Sequence, residues 1–127
     1  MTRGRMPMLA IWFALSATLL FAAMGDGTWM HRVPDRDRAR PNPFAGNSKA
    51  ISGGEKLFHQ NCAQCHGSDA SGREKHPPLR SDRVRAATPG ELYWLLTNGS
   101  MRNGMPSWSK LPEQQRWQIV SYLKTLQ

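Results

Sequence analysis

The sequence is poor in cysteine, since Cys62 and Cys65 are the only two among 127 residues. Two thiols form at most one disulfide, which excludes a disulfide-stapled scaffold. Apolar residues are also scarce outside the N-terminus, because hydrophobic types make up 39% of the chain and many of them fall in the first 24 positions. A chain of this length has room for one domain, and a small core usually needs help from a metal or a cofactor. We therefore expect a bound cofactor.

Acidic residues are few as well, because 9 Asp and Glu stand against 17 Lys and Arg, for a formal net charge of +8. No stretch alternates arginine with aromatic residues as a base-stacking surface does, and acidic residues interrupt the basic ones at Asp35, Asp37, Glu74 and Asp82. Nucleic-acid binding is therefore not indicated. The charge favours a basic docking face for an acidic partner, or an evenly solvated surface.

Strand-like alternation of apolar and polar residues is absent, and three stretches have helical spacing instead. The first begins near Ser48 and repeats small or apolar residues every three or four positions, at Ile51, Gly54, Phe58, Cys62 and Cys65. The second is TPGELYWLLTNG, in which Thr88 and Glu91 form a capping-box pattern. The third begins near Pro112. These patterns predict an all-α domain over residues 48–127.

The N-terminus has the pattern of an export segment. Arg3 and Arg5 precede an apolar run over residues 6–24, and the segment from Ala23 to Gly25 offers small residues at the positions that a signal peptidase reads. The pattern predicts a signal peptide over 1–25, or an uncleaved membrane anchor, since about 20 apolar residues span a bilayer. Either alternative places the domain outside the cytoplasm. Residues 26–47 contain three prolines and no apolar period, and they are predicted to be a flexible Pro/Arg-rich linker.

Four kinds of site use two cysteines at this spacing. Zinc needs four ligands, and the second half of such a site is missing. A thioredoxin-like dithiol needs a βαβ pattern, and a disulfide between Cys62 and Cys65 would close too small a loop to stabilise much. Because His66 follows directly, the segment has the C-x-x-C-H signature of covalent haem attachment. We expect both thiols to tether one haem c and His66 to bind its iron.

With these residues in place, the chain resembles the class I c-type cytochromes over about residues 48–126. GEKLFHQNCAQCHG resembles the family's first helix and haem motif, GMPSW its distal-ligand loop and IVSYLKTL its last helix. The resemblance implies a small all-α fold around one haem, in which Gly54 and Phe58 cross Ile119 and Tyr122. It also implies that the carbonyl of Pro77 holds the proximal histidine and that Leu79 packs on the haem.

The sixth iron ligand has four candidates, Met101, Met105, His59 and His76. The resemblance selects Met105, because Met-Pro in a glycine-rich loop before the last helix is the family's usual arrangement. Thioether ligation raises the reduction potential of the iron and closes its site to small ligands.

Trp94 and Trp108 are predicted to be haem-pocket residues, with Trp108 as a donor to a haem propionate, whereas core packing is the simpler role for Trp117.

The predicted function is single-electron transfer, with no bond-making catalysis by the chain itself. The expected partners are redox proteins, a dehydrogenase as donor and an oxidase as acceptor. The expected location is the periplasm, free or anchored to the inner membrane through residues 6–24. A fixed subunit of a larger redox complex is one alternative. A haem-based sensor or ligand-binding module, in which Met105 is displaceable, is another.

Overall fold

The computed structural model describes residues 27–126, and six α-helices account for most of the regular structure in that range. They are α1 (Asp35–Arg38), α2 (Ser48–Asn61), α3 (Ala63–His66), α4 (Asp82–Ala86), α5 (Pro89–Asn98) and α6 (Glu113–Leu123), with 3-10 turns at Thr28–Arg32 and Met101–Asn103. No β-strand occurs between residues 27 and 126, where ladder pairing is limited to two isolated bridges. The predicted all-α fold is confirmed.

The core forms where α2 crosses α6. Phe58 of α2 and Ile119 and Val120 of α6 are almost completely buried there. The Phe58 and Tyr122 rings lie 5.4 Å apart between centroids. Gly54 of α2 lies directly against the α6 backbone. This crossing fixes the position of the C-terminal end of α2, from which the Cys62–His66 segment continues.

The second predicted helix, α5, has the ends that its sequence indicates. The Thr88 hydroxyl accepts the Glu91 backbone N–H at 3.1 Å, and the Glu91 carboxylate accepts the Thr88 backbone N–H at 2.7 Å. Pro89 occupies the first turn, and Gly99 ends the helix with a φ of 69°. The first predicted helix differs from expectation, because it ends at Asn61 and a separate short helix, α3, follows Cys62.

The linker prediction for residues 26–47 is wrong over the part that the structure describes. We call residues 27–47 the N-terminal strap. Its Trp29 and Val33 side chains are 8% and 4% exposed and belong to the core, and Asn42 donates to the Ser121 hydroxyl at 2.8 Å. The strap has too few apolar residues to show a period, and contacts far along the chain order it instead. The predicted signal peptide or anchor lies outside the described residues.

Among residues 27–126, no helix combines the length and the apolar character that crossing a membrane requires.

Candidate haem site

A cavity of about 700 Å³ opens beside the helix crossing. Its apolar wall comes from α4, α5 and α6, through Val84, Leu92, Leu95, Leu96, Ile119 and Leu123. Cys62, Cys65, His66 and Met105 line the same cavity. The structure therefore brings together the four residues that the sequence singled out as tethers and iron ligands.

The two cysteines differ in exposure, and both are free thiols. Cys62 is buried at the junction of α2 and α3, whereas Cys65 is exposed. Burial, with a smaller contribution from the neighbouring Cys65, raises the pKa of the Cys62 thiol to about 11. A thiol that stays protonated at neutral pH is a poor redox nucleophile. Within residues 27–126, no group of three or more His, Cys, Asp or Glu side chains is arranged to hold a metal ion by itself.

His66 is oriented by a backbone contact from the following loop. Its Nδ1 lies 2.9 Å from the Pro77 carbonyl oxygen, which accepts a hydrogen bond from the ring. Burial lowers the pKa of His66, and the hydrogen bond to Pro77 offsets part of that effect. A neutral ring with its proton on Nδ1 carries a free lone pair on Nε2, the form in which histidine binds a metal. The backbone thus selects the tautomer that a haem iron needs.

Met105 is held by a short backbone loop between α5 and α6. Ser100 N–H donates to the Met105 carbonyl at 2.9 Å, and Met105 N–H donates back to Ser100 at 3.1 Å. Met105 is half-buried and packs against the core, whereas Met101, at the other end of this loop, is 73% exposed. Both side chains line the cavity. Burial favours Met105 over Met101 as an internal ligand.

The other predicted pocket residues divide into two groups. Pro77, Leu79 and Trp108 line the cavity. Trp94 does not, and its assignment to the pocket is wrong. Successive helix residues are about 100° apart, so Trp94 lies on the far side of α5 from Leu92, Leu95 and Leu96.

The two histidines that were candidates for the sixth iron ligand, His59 and His76, differ in whether they line the cavity. His76 lines the cavity from the loop that contains Pro77, and His59 is exposed on α2 outside it.

Trp29 is a lining residue that sequence reasoning missed, because it falls in the segment predicted to be a linker. An isolated tryptophan in an otherwise polar segment is the one signal that marks a strap residue for burial, because so large an apolar surface is rarely left in water.

The residues present fit a haem. An apolar cavity of about 700 Å³ is within the range of sites that bind small molecules and cofactors, about 300–1,000 Å³. Its donor set is one imidazole in a metal-binding tautomer, one thioether and two free thiols in the attachment motif. Histidine and methionine are the axial pair that cytochromes c use.

Comparison with known proteins gives a family match. A family model described as "Cytochrome C oxidase, cbb3-type, subunit III" matches residues 49–123. Cytochrome c550 of Pseudomonas aeruginosa is 32% identical over 88 residues, which cover 66% of this chain and 61% of that protein. The cbb3-type oxidase subunits CcoP of Rubrivivax gelatinosus and FixP of Sinorhizobium medicae are 38% and 35% identical, over 50% and 61% of this chain.

Among solved structures, cytochrome CL of the marine methylotroph Methylophaga aminisulfidivorans is similar, with a TM-score of 0.58 and 25% identity over 67% of this chain and 58% of that chain. The matched region spans 61% of cytochrome c550 but only 21% and 30% of CcoP and FixP. The family model covers more than half of the chain, and its matched range contains the haem-attachment motif and the helix crossing. The chain therefore belongs to the class I c-type cytochromes, in the family described as "Cytochrome C oxidase, cbb3-type, subunit III".

Proposed function

We propose that this chain is a single-electron carrier in which Cys62 and Cys65 tether one haem c and His66 and Met105 bind its iron. The observation that carries the proposal is the convergence of these four side chains on one largely apolar cavity. When bound, the haem supplies an iron that alternates between the ferrous and ferric states.

Each residue has a separate task. The Cys62 and Cys65 thiols would hold the haem through two thioether bonds, so that the cofactor stays with a protein that has a small core. The Pro77 carbonyl holds the His66 ring through Nδ1 and leaves Nε2 for the iron. Met105 is presented by the backbone pairing with Ser100. Its sulfur would bind the haem iron, which would suit electron transfer and exclude small-molecule ligands.

The partners that we propose are redox proteins with acidic docking surfaces. Lys75, Arg83 and Arg102 are exposed and line the cavity, and the whole chain carries a formal charge of +8. Charge of one sign around a redox site steers oppositely charged partners and speeds their encounter. A dehydrogenase donor and an oxidase acceptor fit this chemistry. Some relatives are named as cbb3-type oxidase subunits. The proposal therefore includes the alternative that this chain is a fixed subunit of a larger redox complex.

Residues 1–25 are proposed to direct the chain out of the cytoplasm, either as a cleaved signal or as a retained inner-membrane anchor. The mass of the native protein tests this and the tethering together. We expect one haem beyond the polypeptide mass, and the same spectrum reports whether residues 1–25 remain. A chain without added mass would rule out covalent haem.

Carbon monoxide distinguishes the carrier from a ligand-binding module. With Met105 on the iron, adding carbon monoxide to the reduced protein leaves its visible spectrum unchanged. An immediate spectral shift would instead favour the sensor alternative, in which Met105 is displaceable.

A further inference from the structure

The N-terminal strap contributes a wall to the haem cavity. Trp29 lies 20 residues before the start of the region that the family model matches, yet it lines the cavity and is 8% exposed. The strap begins against Arg83, another lining residue, since an added Cβ at Gly27 would lie 2.8 Å from Arg83 Nε. Trp29 is therefore a part of the site that the matched family region does not supply.

Contacts on both sides of Trp29 hold the strap in place. The Arg38 guanidinium donates to the Met30 carbonyl at 3.0 Å and forms an ion pair with the buried Glu91 of α5. The Thr88 hydroxyl donates to the Arg38 carbonyl at 2.9 Å. Val33 packs in the same core as Leu92. The strap is thus fixed to α5, one of the three helices that form the apolar wall of the cavity.

A large apolar side chain at this position keeps water from one side of the cavity. Water near a haem stabilises the ferric form, which carries one more positive charge, so excluding water raises the reduction potential. We propose that Trp29 sets the reduction potential of this cytochrome by closing the strap side of its haem cavity. This inference rests on the proposed function, because it requires a haem in the cavity.

The test is a set of reduction potentials measured on the haem-loaded protein by spectroscopic titration. In Trp29→Ala we expect a potential below that of the wild type, because water enters the space that the indole leaves. Trp29→Phe, which keeps an aromatic ring, should stay near the wild type. Trp94→Ala is the matched control, since Trp94 is a partly buried tryptophan that does not line the cavity, and its potential should not change.

Equal potentials in Trp29→Ala and Trp94→Ala would overturn the inference. If Trp29→Ala does not accumulate, Trp29→Leu replaces it, and its potential should lie below that of the wild type. A potential equal to the wild type would then count against the inference. The visible spectrum of each variant checks that the methionine ligand stays bound. A wild-type protein without covalent haem would defeat the proposed function itself, which separates the two failures.

Discussion

The backbone of Gly54 in α2 lies directly against the carbonyl oxygen of Gln118 in α6. A Cβ atom at position 54 would overlap that oxygen and would lie 3.0 Å from the Tyr122 Cβ. The two helices therefore meet backbone to backbone, and this close approach lets Phe58 and Ile119 bury almost all of their surface beside it. The glycine is a requirement of the helix crossing.

Gly54→Ala is predicted to lower the free energy of unfolding by about 3 kcal/mol or more, because backbone cannot move aside as a side chain can. Gly53→Ala is the matched control. A Cβ there meets only the Gln118 side chain, at 3.3 Å, and that flexible side chain can move aside. We therefore expect the free energy of unfolding to stay unchanged or to rise by up to about 1 kcal/mol, which is the gain in helix propensity from glycine to alanine. Urea unfolding of both variants is the measurement, and similar destabilisation in the two would contradict this account of the crossing.

Much of the fold was predictable because its signals are local. The capping box at Thr88 and Glu91, the glycine at position 54 and the attachment motif each lie within a few residues of sequence. The strap was not predictable in this way. Its order comes from Arg38, whose partner Glu91 is 53 residues away, and from Asn42, whose partner Ser121 is 79 residues away.

The site, like the fold, combines residues that local sequence signals identify with residues that only tertiary packing brings there. The haem motif and the Met-Pro loop identify Cys62, Cys65, His66 and Met105 as candidates without any coordinates. The wall of the cavity depends on which side of α5 faces inward. Residue type alone predicted that Trp94 lines the cavity, and that prediction was wrong. Tertiary packing, rather than residue type, decides that Trp29 lines the cavity and Trp94 does not.

Arg38→Ala is predicted to lower the free energy of unfolding by about 2 kcal/mol, because it removes charged hydrogen bonds to Glu91 and to the Met30 carbonyl. Glu91 is 3% exposed, so water replaces the lost partner poorly. The control is Arg36→Ala, whose side chain is 87% exposed and which should change stability by less than about 0.5 kcal/mol. Equal effects of the two substitutions in urea unfolding would mean that the strap is not held through Arg38.

Stability above pH 9 is predicted to depend on Tyr122. Burial, with a smaller contribution from Glu55, raises the pKa of the Tyr122 phenol in the folded protein. Its stabilising effect is therefore complete below the unfolded tyrosine pKa of about 10 and is lost as the pH rises through the higher folded value. Tyr122→Phe should flatten the fall of the urea midpoint over this range. If the two proteins lose stability in parallel, another group is responsible.

Met105→Ala is predicted to open the iron to exogenous ligands. Without the thioether, the reduced protein should bind carbon monoxide at once, and its reduction potential should fall, because methionine ligation favours the ferrous state. The visible spectrum before and after adding carbon monoxide, together with a potential titration, measures both effects. Met101→Ala is the matched control, since it removes a second methionine of the same loop that lines the cavity but is 73% exposed. It should leave spectrum and potential unchanged. If Met101→Ala rather than Met105→Ala opened the iron, the assignment of Met105 as the iron ligand would be wrong, and Met101, which also lines the cavity, would take its place.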